Sequence, residues 1–476
     1  MLRQKHGGLY LKTPVGIDDI AVYVPRLYLE LANEEHPEKP TEFSQARQSE
    51  PAKYLHGIGI AKMSIPDTYQ DSSVLAANAI FELIERNYVS PSNVARIDIA
   101  TETGVDESKP VAAYVHGMLE QKFGKGAFKK TSGVEYKFAC VSTADALESS
   151  LDWAWAGRSN GKVSVVCAVD IAKYPLNSPG EPTQGAGAVA FLVKENPRLL
   201  AFDSVIGTYM EDEDDFWRPL FSTTAVVHGK HSEKCYLKAM EGAVDNWAEQ
   251  ATTSGLIKTR PGESLIDHLG PMSFHVPYPK MAEKGFAYLL RHFWRGLPRW
   301  NEIVKQIGTE PKAAGAGIKK IDEIEKAESD YMKRFMETSK FQSEYKDKIA
   351  DGLTHARESG NAYSASEKMC LSMLLETKAK KGADLAGKRG GSGNYGSGSK
   401  AKASSWVLQE EWNTVAKTFG HAEKLKRRRQ ITLADYEALH EGRSLPDGRK
   451  FVAEPENEFV LIDVTPQGYR HYKFAD

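Results

Sequence analysis

From Val15 to about Val193 the chain alternates short β-branched runs with longer stretches of helical periodicity. Strands that repeatedly feed helices are the layout of an α/β domain. GIDDIAVYVP, RIDIATET, SVVCAVDIA and GAVAFLVK read as strands. Between them, Ser72 to Asn87 places Val74, Ala77, Ile80, Phe81 and Ile84 at helical spacing, with Ser72 or Ser73 available as an N-cap. A second helix, TADALESSLDWAWAG, begins just after Cys140 and stops at Gly157. With 476 residues there is room for several average domains or for one large duplicated architecture.

The remainder is less regular from Ala201 onward. Ile318 to about Arg357 is charged and helical and reads as solvated amphipathic helices, with a partner-binding surface as the alternative. Lys378 to Ser405 is rich in Gly, Ser and Lys, which on composition alone is a flexible linker, with weak phosphate or nucleic-acid binding as the alternative. The basic run KLKRRR at Lys424 to Arg429 reads as a solvated helical face or else an anion or nucleic-acid patch. No period of about 20 to 50 residues repeats, which argues against solenoids and propellers.

Several function classes fall away. A net charge of -2 argues against nucleic acid as the main partner. Cys140, Cys167, Cys235 and Cys370 are scattered without a C-x-x-C spacing, so neither disulfides nor a thiolate metal site is expected. The amino terminus MLRQKHGGLYLKTP lacks an apolar h-region, and no run of about 18 apolar residues occurs, so a cytoplasmic chain without a membrane span is expected. Phosphate-loop, H-E-x-x-H and G-x-S-x-G patterns are absent. The G-x-G of QGAGAVAFLV precedes a strand, unlike a dinucleotide fingerprint.

Three residues could carry chemistry. Cys140 sits at the seam of the apolar run YKFAC and a helix, where the helix dipole and free N–H groups lower a thiol's pKa and can stabilise an oxyanion; an inert core cysteine is the plainer reading. His275, in SFHVPYPKM, is held between aromatics and prolines and could donate a hydrogen bond to a carbonyl or move a proton, or be a satisfied structural histidine. Glu102 ends a strand in DIATETGVD and could act as a base if burial raised its pKa, or simply line a loop. Lys280 and Lys284, four residues apart, share a helical face suited to phosphate or to plain solvent.

In combination these segments resemble the 3-hydroxy-3-methylglutaryl-CoA synthase family of thiolase-like condensing enzymes, from about Gly16 to Phe419. The motifs run in the family's order: IATET, FACVSTADAL, VDIAKY, PTQGAGAVAFLV, DDFWRP, SFHVPYPK, ESGNAYSAS and LAGKRGGSGNYGSGS. The resemblance implies a five-layered α/β/α/β/α fold of two pseudo-equivalent halves. Residues 15–195 would carry the nucleophilic cysteine, and residues 196–476 the histidine, asparagine and Gly-rich oxyanion loop. It also implies an acetyl-cysteine on Cys140, Glu102 as the base toward the acetyl methyl, and His275 as the group that polarises acetoacetyl-CoA. The amides of Cys140 and Ser397 become oxyanion donors, with Gly396 and Gly398 letting the backbone approach closely, so the linker reading is overruled. Asn361, Tyr363, Thr183, Asp106, Asp170 and Asp215 match substrate-site positions. Lys280, Lys284 and Lys62 match CoA-phosphate positions. No cofactor or metal is implied beyond the substrates acetyl-CoA and acetoacetyl-CoA. A homodimer is expected, and a thiolase that produces acetoacetyl-CoA is a conceivable partner.

The chain departs from the family in places. Val141 follows the cysteine where animal enzymes carry Tyr, and GSKAKASSW after Ser397 is more basic than the apolar helix expected there. Leu31 to Glu50, the charged region after Gly308 and His421 to Asp476 match loosely. Two competing readings remain: a polyketide β-branching synthase whose acceptor rides on a carrier protein, and a silent acyl-CoA-binding scaffold.

Overall fold

The computed structural model describes residues 13–311 and 321–476. The readings of the amino-terminal 12 residues and of Ile318 to Lys320 lie outside the described residues.

The amino-terminal half contains β1 (Val15–Tyr23), α1 (Ser72–Arg86), β2 (Val94–Ala100), α2 (Val111–Phe123), β3 (Glu135–Tyr136), α3 (Ser142–Trp155), β4 (Val163–Ile171) and β5 (Ala186–Glu195). The four expected strands and two helices are all present. The cap of α1 differs: Asp71 accepts from the Val74 amide at 2.9 Å, and Ser72 is already helical. A carboxylate there also meets the positive end of the helix dipole.

The second half opens with β6 (Leu200–Met210), an 11-residue strand where the sequence reads as irregular. It continues with α4 (Gly229–Thr253), β7 (Met272–Phe274), α5 (Pro279–Trp294), α6 (Ile321–Glu337), α7 (Ser339–Lys348), α8 (Ala350–Ser359), α9 (Ser366–Lys380), β8 (Arg389–Gly396), β9 (Lys400–Leu408) and α10 (His421–Lys426). A terminal hairpin, β10 (Glu458–Val464) with β11 (Arg470–Ala475), closes the chain.

Among the described residues nine strands join in the order β7-β8-β9-β6-β1-β5-β4-β2-β3. The two halves of this sheet meet only where Gly16 and Ile17 pair with Ala201 and Leu200, so the sheet pivots at a narrow seam. Helices α3 and α9 lie between the half-sheets and share one apolar core with them. Residues Ser366 to Glu376 of α9 are all buried, as a helix enclosed on every side must be. Outside, α1 and α2 pack on the first half-sheet and α4 and α5 on the second. This is the five-layered α/β/α/β/α arrangement.

Two sequence readings are corrected, and the overruling of a linker at Lys378 to Ser405 agrees with the fold. The segment after Ser397 is strand β9; its basic character is absorbed because Lys400 and Lys402 bond Asp145 of α3 at 2.8 and 2.6 Å. The run KLKRRR is a solvated face only in part: Lys426, Arg427 and Arg429 are exposed, but Lys424 bonds Glu82 at 2.6 Å and the Val22 carbonyl at 2.8 Å, while buried Arg428 donates to the Glu358 carbonyl at 2.7 Å. Lys378 to Ser405 spans the end of α9, β8 and most of β9, so it is structured chain. Helices α6 to α8 are amphipathic as expected, burying Tyr331, Met332, Phe335, Phe341 and Leu353. The loosely matching tail is also packed: Phe459 and Phe474 meet Phe81 of α1 at ring distances of 5.5 and 5.6 Å.

Candidate active site

Cys140 lies two residues before α3, on a backbone turned sharply by Ala139, whose φ of +41° is unusual for a residue with a Cβ. The opposite wall is the end of β8. A Cβ on Gly396 would stand 2.7 Å from the Phe138 carbonyl oxygen and 2.8 Å from the Val141 amide nitrogen, so only glycine lets that strand reach the cysteine loop. Gly398, at φ +81°, completes the tight turn through Ser397.

The Cys140 Sγ donates to Oε1 of Glu102 at 3.0 Å. Glu102 stands just past the end of β2, and its loop is held by Asp170 at the end of β4. Oδ1 of Asp170 accepts from the Glu102 amide at 2.9 Å, from the Thr101 hydroxyl at 2.8 Å, and from both the amide and the hydroxyl of Thr103. Oδ2 accepts from the Ser364 amide and hydroxyl. One carboxylate thus ties the Glu102 loop to the turn before α9.

Electrostatics at this pair run against the simple helix-dipole picture. Burial pushes the Cys140 thiol well up, and the charges of Glu102, Asp170 and Asp215 push the same way. Burial also raises Glu102 to about 8, with Asp170 adding to the rise and the Cys140 hydrogen bond opposing it. The resting sulfur is therefore a thiol whose proton points at Glu102, and the expected low-pKa thiolate is corrected.

Cys140 opens into a cavity of about 420 Å³ that is also lined by His275, Asn361, Tyr363, Thr183 and Ser397, with Tyr174, Tyr236 and Tyr395 supplying aromatic walls. His275 follows β7, its amide donating to the Gly393 carbonyl at 2.8 Å and its carbonyl accepting from the Tyr236 hydroxyl at 3.0 Å. Burial lowers its imidazole to about 3, so the ring is neutral. Its Nδ1 is 3.2 Å from the Ser366 hydroxyl. The Asn361 amide donates to the Thr183 carbonyl at 3.0 Å, while the buried Asn361 Oδ1 has no hydrogen-bond partner among the described residues. Tyr363 holds φ at +40°, a second strained residue at the cavity wall.

Other expected site residues lie elsewhere. Asp106 is exposed and lines a separate polar cleft with Glu102 and Arg218; its carboxylate accepts from the Lys109 and Ser108 amides, which hold it below the usual carboxylate range. Asp170 and Asp215 do not line the cavity and act on it through others. Asp215 accepts from Ser232 at 2.9 Å, Tyr395 at 2.7 Å and the Gly398 amide at 2.7 Å, fixing the Ser397 turn. Lys280 pairs with Glu283, Lys284 with Glu233 on the cavity wall, and Lys62 with Glu358. Sequence reasoning missed Ser364, Ser366, Tyr236 and Tyr395. Ser364 and Ser366 lie inside the quoted ESGNAYSAS motif, but a serine has no spacing signal that marks it as a clamp. The metal-type side-chain clusters among the described residues do not include Cys140.

Two family models cover nearly the whole chain: hydroxymethylglutaryl-coenzyme A synthase N terminal matches residues 12–197, and its C-terminal counterpart matches residues 200–460. Hydroxymethylglutaryl-CoA synthase of Haloferax volcanii is 32% identical over 467 residues, covering 98% of this chain and 100% of that protein. The Saccharomyces cerevisiae enzyme of that name is 29% identical, over 95% of this chain and 85% of its own. The solved structure of MvaS in complex with 3-hydroxy-3-methylglutaryl coenzyme A superposes with a TM-score of 0.79 at 32% identity, covering 98% of this chain and 100% of that one. A nucleophile-type cysteine against a carboxyl, a neutral imidazole on the same cavity and end-to-end similarity agree, and the chain belongs to the hydroxymethylglutaryl-CoA synthase family.

Proposed function

We propose that this chain condenses acetyl-CoA with acetoacetyl-CoA to 3-hydroxy-3-methylglutaryl-CoA, the step that feeds the mevalonate route to isoprenoids. The observation that carries the reading is the Cys140–Glu102 hydrogen bond at the wall of a cavity shared with neutral His275. The Cys140 sulfur attacks the acetyl thioester carbonyl while its proton passes to ionised Glu102. The oxyanion is held by the amides of Cys140 and Ser397 until CoA leaves with a proton. Glu102 then takes a proton from the acetyl methyl, and the resulting enolate carbon attacks the ketone of acetoacetyl-CoA. With the Ser366 hydroxyl donating to Nδ1, His275 keeps its proton on Nε2 and donates a hydrogen bond to the ketone oxygen as an alkoxide develops there, and the alkoxide takes up the proton that Glu102 removed from the methyl. Asn361 offers its unpaired Oδ1 and side-chain amide to the acceptor. Water finally cleaves the Cys140 thioester.

Lys280 and Lys284 support free CoA as carrier, since both stand on the helix that begins at the cavity wall and suit phosphate groups. Lys62 is a third candidate. The reacting groups are all side chains and thioesters, so the reading invokes no cofactor and no catalytic metal. We place the protein in the cytoplasm, in keeping with four unpaired cysteines, assign it as a homodimer from the family resemblance alone, and leave a thiolase as a candidate supplier of acetoacetyl-CoA.

Incubation with labelled acetyl-CoA and peptide mapping should place one acetyl group on Cys140. No adduct would establish a silent scaffold instead. Turnover of acetoacetyl-CoA should exceed that of carrier-bound acetoacetyl; the reverse by orders of magnitude would make the protein a β-branching synthase.

A further inference from the structure

The sequence EDEDD at Glu211 to Asp215 leaves the end of β6 and faces the first turns of α4, where His231 and Cys235 stand four residues apart on one side of the helix. Nε2 of His231 is 3.0 Å from Oε2 of Glu213 and 3.6 Å from the Cys235 Sγ, and the ligand atoms of all three residues lie within 4.8 Å of one another. Bond lengths of about 2.3 Å to sulfur and about 2.0–2.1 Å to nitrogen give a tetrahedral N···S edge of about 3.6 Å. The observed spacing matches. Two of the neighbouring carboxylates are committed elsewhere: Glu211 pairs with Lys238, and Asp215 holds Ser232, Tyr395 and Gly398. Glu213 is turned to His231. Cys235 is 6% exposed while the His231 side chain is 46% exposed, so the sulfur is shielded and the imidazole side remains open to solvent.

We propose that Glu213, His231 and Cys235 form a binding site for a divalent cation of the zinc class, with water as fourth ligand. Thiolate, imidazole and carboxylate are the donor types such borderline-soft cations take. On binding, the Cys235 S–H bond breaks, its proton leaves to solvent, and a sulfur–metal bond replaces a metal–water bond; thiolate and carboxylate together neutralise the dication. The site is distinct from Cys140 and takes no direct part in the condensation chemistry. It is coupled to that chemistry by chain connectivity, because Glu213 is two residues from Asp215 and His231 adjoins Ser232, the two groups whose contact steadies the Ser397 turn.

Chelator-treated full-length protein titrated with Co(II) tests the proposal. One cobalt per chain should bind with a thiolate-to-cobalt charge-transfer band, and added Zn(II) should bleach it. The band should vanish in Cys235→Ser and in His231→Ala, persist in Cys140→Ser, and Glu213→Gln should weaken cobalt binding about tenfold or more. Half-exposed His231 can be replaced without threatening the core, so His231→Ala stays informative if Cys235→Ser fails to fold. Absence of the band, its survival in His231→Ala, or its loss in Cys140→Ser overturns the assignment.

Discussion

The Ser366 hydroxyl lies 3.2 Å from Nδ1 of His275, and both groups are buried where α9 begins beneath the cavity. A neutral ring has one N–H to give, and the partner at Nδ1 decides which nitrogen carries it. Ser366→Ala removes that decision without touching either substrate. Condensation should slow roughly tenfold, in line with losing the group that orients a reactive imidazole. Acetylation of Cys140 should proceed unchanged, as single-turnover measurement with acetyl-CoA alone would show.

Glu102→Ala acts on two terms at once. It deletes the base that receives the thiol proton, and it also deletes a charge that holds the Cys140 thiol up. These oppose each other in the acetylation step. Nothing opposes the loss when the acetyl methyl must be deprotonated. Acetyl-enzyme should therefore still form, while the overall rate falls about 10²–10⁴-fold, the usual worth of a positioned base. Rapid-quench assays that separate adduct from product distinguish the two steps.

Much of this site was legible because its parts are short motifs at the ends of strands: Glu102 past β2, Cys140 before α3, and His275 past β7. The second half-sheet was harder to see. In β8, Arg389–Gly396, glycine replaces the β-branched residues that announce a strand, and its partner β9 carries Lys400 and Lys402, whose charges are answered by α3 residues some 255 positions away. A local reading cannot find such a partner. Lys424 and Arg428 misled for the same reason, since Glu82 and Glu358 are distant in sequence. The thiol's raised pKa was hidden too: the helix dipole is visible in the sequence, but the convergence of Glu102, Asp170 and Asp215 around the sulfur is a property of the fold.

Gly396→Ala should be costly although its backbone is ordinary. The added methyl would meet the Phe138 carbonyl at 2.7 Å and the Val141 amide at 2.8 Å, both main-chain atoms that cannot swing aside. Overpacking of this kind typically costs about 1–3 kcal/mol. Chemical denaturation should show a loss of that size, and acetylation should fall as well, because the cysteine loop must retreat from the Ser397 turn.

Asp170→Asn keeps the shape and removes the charge. Six donors converge on the carboxylate, and an amide NH₂ would face either the Ser364 pair or the Thr101–Thr103 group. A donor left unpaired in a buried site costs about 1–3 kcal/mol. The melting midpoint should drop, and condensation should fall more than acetylation, since the displaced element is the loop that aims Glu102.

The pH response follows from Glu102, whose carboxyl is raised to about 8 by burial and the Asp170 charge. Only its ionised form can take a proton from the acetyl methyl, so kcat/KM for acetoacetyl-CoA should rise about tenfold per pH unit below that value and level off above it. The stability consequence has the opposite direction. Below the unfolded carboxyl's ordinary value both states hold the proton and Glu102 contributes no pH dependence. Between that value and about 8 the unfolded chain releases a proton the folded chain keeps, so this group's contribution to stability declines with rising pH. Glu102→Gln, which never ionises, should match the parent protein in thermal midpoint near about pH 4 and exceed it increasingly up to about pH 8, with the gap constant beyond. A gap that shrank with rising pH would mean that Glu102 is ionised in the resting fold and that its proton is not shared with Cys140.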